Sequence, residues 1–98
     1  MRVANVIGDV TLSRRLPEVP AGRFIIVQPL PLAALAGGAT GNVEPRVAYD
    51  DLSAGGGTRV GFTEGREAAM PFHPQPVPFD ACNVAILDAV NVDRSVKV

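Results

Sequence analysis

The first fifteen residues set the pattern. Val3, Val6 and Val10 are β-branched, and Ile7 and Leu12 extend the apolar spacing to Ser13, so the chain from Arg2 to Arg15 reads as one long strand. Gly8 inside it marks a bend or bulge. The stretch Leu16-Pro17-Glu18-Val19-Pro20-Ala21-Gly22 is punctuated as a turn. Arg23 to Gln28 follows as the strongest strand, and its four consecutive apolar residues, Phe24-Ile25-Ile26-Val27, predict burial on both faces. From Pro29 to Pro45 the chain is rich in Pro, Ala and Gly. Leu32 to Ala36 has room for one helical turn before Gly37-Gly38 ends it, and the whole stretch reads as a long hairpin loop. Arg46 to Asp50 alternates as a short strand, Ser53 to Gly57 is a tight glycine loop, and Thr58 to Thr63 is another strand. Glu64 to Met70 suits a single helical turn. Pro71 to Pro78 holds four prolines and excludes regular helix or central strand. Strand returns from Cys82 to Val92. Five short strands with Gly- and Pro-rich turns predict a small all-β domain, either a barrel or a sandwich.

Composition narrows the function classes. The chain has 98 residues, 47% hydrophobic and 19% charged, which is too apolar for disorder. It reads as a single domain over residues 1–98. A domain of this size has a thin core, and with one cysteine and one histidine neither a disulfide nor a closed zinc site can brace it. Oligomerisation is the remaining way to add buried area, and the low charge content points the same way. The net charge of −1 gives no attraction for a polyanion. Lys97 is the only lysine among the basic residues. No apolar run approaches the roughly 20 residues of a membrane helix. Met1 to Asn5 shows no basic leader or cleavage site, so the expectation is a small, soluble, cytosolic-type domain.

Candidate chemistry is sparse. Gly55-Gly56-Gly57-Thr58 hints at a phosphate cradle, but a Walker loop needs Lys-Ser/Thr and a helix next, whereas Thr58-Arg59-Val60 opens a strand. A tight turn accounts for it. Asp50 and Asp51 are neighbours that a strand would point to opposite faces, one a strand-end residue and one a turn residue. His73 stands alone in a proline-rich loop. Cys82 opens an apolar strand, where an inert buried thiol is the expectation. Asp80 and Asp88 flank that strand and fit hydrogen-bond acceptors at its ends. Arg14, Arg15 and Arg23 suit phosphates or salt bridges to a neighbouring chain equally. From the residues alone, no catalytic, cofactor-binding or metal set emerges.

Three stretches carry a resemblance to the pentameric vertex proteins of bacterial microcompartments, the EutN/CcmL family. Met1-Arg2-Val3-Ala4-Asn5-Val6-Ile7-Gly8-Asp9-Val10 is similar to the family's opening strand with its internal glycine. Val47-Ala48-Tyr49-Asp50-Asp51-Leu52-Ser53-Ala54-Gly55-Gly56-Gly57 resembles its Asp-x-apolar-Gly-Ala-Gly-x-Gly loop. Pro78-Phe79-Asp80-Ala81-Cys82-Asn83-Val84-Ala85-Ile86-Leu87-Asp88 resembles its Pro-Val-Asp-Ala-strand-Asp motif. The chain departs at Ser53, where the family usually has glycine, and at Thr58, where an acidic residue is common. Glu64-Gly65-Arg66-Glu67-Ala68-Ala69 keeps only the glycine and an alanine of a Gly-Ser-Ser-Ala-Arg-like stretch, and the Pro29 to Pro45 loop is longer and more apolar.

The resemblance implies a five-stranded OB-like barrel with short extra helix and turn elements. It further implies a structural role: homopentamers capping the five-fold corners of a microcompartment shell in the cytoplasm. The partners would be further copies of the chain and hexameric and pseudohexameric shell proteins, with no cofactor, nucleic acid or membrane. Gly55, Gly56, Gly57 and Asp80 are the candidate assembly residues of such a ring. An OB-like barrel also suggests a module for single-stranded nucleic acid or another ligand. Four Phe, one Tyr and no Trp are few stacking platforms for that. A small-molecule enzyme would need a triad or metal set that the chain lacks.

Overall fold

The computed structural model describes residues 1–20, 22–38, 43–75 and 77–93. Residues 39–42 of the long hairpin loop, Pro76 of the proline-rich stretch and Lys97 lie outside the described residues. The chain forms β1 (Arg2–Val10), β2 (Arg23–Pro29), helix α1 (Leu32–Leu35), β3 (Arg46–Asp50), β4 (Arg59–Glu64) and β5 (Ala81–Ile86). Between β4 and β5 stand two 3-10 turns, Gly65–Ala68 and Met70–Phe72. The strands close into a barrel in the order β1-β2-β3-β5-β4, which settles barrel against sandwich. Every neighbouring pair is antiparallel except β3 and β5, which meet in parallel at one register pair, Tyr49 with Cys82.

The core follows from side-chain alternation. Ala4 and Val6 of β1, Ile25 and Val27 of β2, Ala48 of β3, Val60 and Phe62 of β4 and Ala81 of β5 point inward and are buried, with Ala54 closing one end. Several alanines keep the barrel narrow, and Phe62 is its largest filler. Burial of each of Ile25, Val27, Val60 and Phe62 stabilises the fold by about 1.5–3 kcal/mol.

Three expectations are corrected. The first strand ends at Val10, not Arg15. β2 begins at Arg23, opposite the end of β1, so the ladder has no partner beyond it, and Pro17 and Pro20 supply no donors to extend one. The last strand ends at Ile86, not Val92, for the same reason: Leu87 N–H reaches Arg59 O at 2.9 Å, and Arg59 is where β4 begins. β2 is not buried on both faces. Ile25 and Val27 are fully enclosed, while Phe24 and Ile26 on the outer face are only half-buried.

A second cluster lies outside the barrel. Tyr49, Ala68 and Cys82 are buried beneath Phe24, Phe72 and Phe79. The Tyr49 and Phe79 rings stack at 4.4 Å, and Phe24 and Phe72 meet them edge-on at 5.4–5.7 Å. Gly22 lies flush against Tyr49: a Cβ there would stand 2.5 Å from the hydroxyl, so only glycine lets the chain pass. This cluster pins the 65–79 segment to the outside of β2 and β3. Among the described residues, no helix is long and apolar enough to cross a membrane.

Candidate assembly site

The glycine loop is positioned by one buried carboxylate. Asp50, at the end of β3, is 1% exposed. Its oxygens accept from Leu52 N–H at 3.0 Å, Ala54 N–H at 2.9 Å and Asn83 Nδ2 at 3.0 Å. Arg23 completes the arrangement, with Nη1 3.6 Å from Asp50 Oδ2 and donating to Ala54 O at 2.9 Å, while its Nη2 stands 3.8 Å from Asp9. A buried charge is tolerated when it is paired and hydrogen-bonded, and here both conditions hold. Asp50 therefore ties β2, β3, β5 and the following loop together. Asp51 is exposed, so the two adjacent carboxylates share no site. Asn83 spends Nδ2 on Asp50, and its Oδ1 is buried without a hydrogen-bond partner among the described residues.

Beyond Asp50 the chain turns sharply. Ser53 takes φ +63° and Gly57 φ +80°. Thr58 N–H donates to Gly55 O at 3.1 Å, closing a four-residue turn that feeds directly into β4. Gly57 N–H donates to Val6 O at 2.8 Å, and Val6 N–H donates to Thr58 O at 2.9 Å, riveting the loop to β1. Gly57 is the glycine the turn requires, because its backbone is left-handed. Gly55 and Gly56 are exposed, and an added Cβ would meet nothing closer than 3.9 Å. Any demand for glycine at those two positions must come from outside the chain.

Asp80 lies elsewhere. It is exposed just before β5, where its carbonyl accepts from Gly65 N–H at 2.9 Å. It borders a depression of about 360 Å³ with Arg46, Val47 and Glu64. Glu64 bridges Arg2 at 2.7 Å and Arg46 at 3.7 Å. The glycine loop abuts the first residue of β4 and Asp80 the last, a separation of about 17 Å along a six-residue strand. The structure does not bring the four candidate residues into one site.

The remaining chemistry is dispersed. Cys82 is buried, and burial, followed by the charges of Asp51 and Asp50, pushes its thiol above the ordinary value. Burial likewise raises the Tyr49 hydroxyl, with Asp51 adding to it. His73 is exposed after the second 3-10 turn. Arg14, Arg15 and Arg23 border a depression of about 440 Å³, but Arg23 is already engaged with Asp50 and Ala54. Among the described residues, no group of three His, Cys, Asp or Glu is placed to hold a metal ion. Four of the five aromatics pack on one another outside the barrel and Phe62 fills its interior, so no ring stands out as a base-stacking platform. Sequence reasoning missed the reach of Asp50 and its link to Asn83. The available signal was one amide in the otherwise apolar run from Cys82 to Leu87.

Comparison with known proteins places this architecture. Residues 1–88 match the family described as ethanolamine utilisation protein EutN/carboxysome. The carboxysome shell vertex protein CcmL of Synechococcus elongatus is 36% identical over 94 residues, spanning 96% of this chain and 90% of that protein. The structure of CcmL from Gloeobacter violaceus superposes with a TM-score of 0.80 at 29% identity, over 95% of this chain and 91% of that one. The pentameric shell protein MSM0273 from the RMM microcompartment gives 0.72 at 30% identity, over 89% and 100%. The family match takes in all five strands, the Asp50 clasp, the glycine loop and Asp80, and the chain belongs to the EutN/carboxysome family.

Proposed function

We propose that this chain is a structural shell protein whose copies close head to tail into homopentamers, and that these cap the five-fold vertices of a bacterial microcompartment. The observation that carries this is the 36% identity to a carboxysome shell vertex protein across 96% of the chain. The physical logic is geometric. Hexagonal tiles lie flat, so hexameric and pseudohexameric shell proteins need five-fold corners in order to enclose a volume. A small barrel gains buried area by cyclic closure without growing into a filament. The role needs no catalysis, and the titratable groups fit it: Asp50 is spent on the loop clasp and Cys82 is buried.

In this reading the 53–57 loop sets the assembly geometry, with Gly57 holding its shape and the open flanks of Gly55 and Gly56 facing a neighbouring subunit. Asp80 acts at a separate place, beside the Arg46–Glu64 pair. Native mass spectrometry tests both layers. The parent is expected at five times the chain mass. Gly56→Val, whose Cβ would have nothing within 4 Å beyond its chain neighbours, is expected to fold as a barrel and shift the distribution to smaller species. A monomeric parent overturns the ring, and an intact Gly56→Val pentamer overturns the loop's part in it.

A further inference from the structure

The segment between β4 and β5, described from Gly65 to Gln75 and from Val77 to Asp80, leaves and rejoins the barrel at one point. Its two ends are joined by Gly65 N–H donating to Asp80 O at 2.9 Å. A surface loop with its ends together and its own side chains packed beneath it is an Ω-loop. The backbone bonds of its 3-10 turns stay within it: Ala69 N–H donates to Arg66 O, Phe72 N–H to Ala69 O, His73 N–H to Met70 O and Gln75 N–H to Phe72 O, at 2.8–3.1 Å. Its grip on the barrel is apolar, through the fully buried Ala68 and the rings of Phe72 and Phe79. Gly65 gives it a pivot, because the φ of +71° there is one that glycine adopts freely.

The register shows what this loop covers. Alternation sends Ala48 of β3 and Ala81 of β5 into the barrel and turns their neighbours Tyr49 and Cys82 outward, beneath the loop. Those two form the single register pair between β3 and β5, whereas every other pairing in the barrel holds four or more. Tyr49 is 2% and Cys82 4% exposed. Phe79 stacks on Tyr49, and Phe72 meets it edge-on at 5.4 Å. The loop therefore lies over the least-bonded joint of the barrel. A unit whose hydrogen bonds are its own opens without breaking those of the sheet, and so at a lower free energy than global unfolding.

We propose that this loop is a strap that lifts as a unit about Gly65, and that its lifting parts β3 from β5 and uncovers Cys82 while the other strand pairings persist. The closed strap keeps the thiol inert, because burial shields it and also holds it protonated, and only the thiolate attacks. The full chain has one cysteine, so labelling with excess iodoacetamide, read as a mass shift, reports the opening directly. Phe72→Ala removes two ring contacts of the strap and is expected to speed labelling about tenfold. Val6→Ala weakens the barrel core on β1, away from the strap, and is expected to lower the urea midpoint while leaving the labelling rate in water unchanged. Circular dichroism checks that each variant remains a barrel, and Phe72→Leu serves in the same test where alanine does not fold. The parent's rate is expected to be the same at about 1 and about 100 μM protein. Hydrogen exchange in Phe72→Ala is expected to rise in β3 and β5 and to stay slow in β1. Equal acceleration by Val6→Ala and Phe72→Ala would show that only global unfolding exposes Cys82. A rate that falls with protein concentration would assign the exposure to subunit dissociation, and faster labelling with β3 and β5 still protected would overturn the parting of the strands.

Discussion

Ser53 holds a backbone conformation that favours glycine. Its φ of +63° lies in the left-handed region, where an L side chain costs about 1–2 kcal/mol. The strain persists because the turn is over-determined: Asp50 accepts from Leu52 N–H and Ala54 N–H on either side. Ser53 is exposed, so removing its side chain forfeits no packing. Glycine would relieve the strain but loosen the unfolded chain by about 0.4–1 kcal/mol. Ser53→Gly is therefore expected to stabilise the protein by about 0.5–1 kcal/mol, read as a higher urea midpoint at fixed protein concentration. A lower midpoint would contradict the strain argument.

The 65–79 segment is held by aromatic rings rather than by a strand ladder. Phe79 touches Phe24, Tyr49 and Phe72 at once. Aromatic pairs of this kind contribute about 0.5–1.5 kcal/mol each beyond area burial. Phe79→Ala is expected to cost about 2–4 kcal/mol, less than full core truncation because the ring is only partly buried. The loss should be local. Hydrogen exchange should accelerate across residues 65–75 while the amides of β1, β2 and β4 stay protected; uniform acceleration across all strands would show that the cluster is not a separate unit. How much of this was legible in the sequence depends on range. Apolar alternation and short apolar runs between Gly- and Pro-rich turns located all five strands, since both are local properties of the sequence. Strand ends were misplaced at Arg15 and Val92 because a ladder stops where its partner stops, and no local pattern carries that. The glycine loop was visible, but the carboxylate that shapes it was not: Asp50 and Asn83 are 33 residues apart and meet only because β3 lies beside β5. Phe24 to Val27 was misjudged because a run of apolar residues shows that a strand can bury both faces, not that the rest of the chain covers both: Ile25 and Val27 face the barrel interior, while Phe24 and Ile26 are only half-buried.

The isolated chain is larger than its mass requires. It exposes 6510 Å², about 1,200 Å² more than the ~5,300 Å² expected of a compact monomer of its mass. Its radius of gyration is 14.4 Å, against about 12.6 Å for a compact domain of this length. Association that covers this excess couples folding to concentration. The thermal midpoint is accordingly expected to rise when protein is increased from about 1 to about 100 μM, whereas a monomer's would stay fixed. Calorimetry at both concentrations decides it. The joint between β3 and β5 carries a consequence of another kind. Four seams of this barrel are written in backbone hydrogen bonds, which substitution barely edits. The fifth has a single register pair and leans on the Asp50–Asn83 bond and the Tyr49–Phe79 stack. Closure of the whole cylinder is thereby delegated to a few exchangeable side chains. That makes the seam a place where point changes can retune how tightly the wall is sewn, and a natural entry point for anyone engineering a corner piece that loosens on demand.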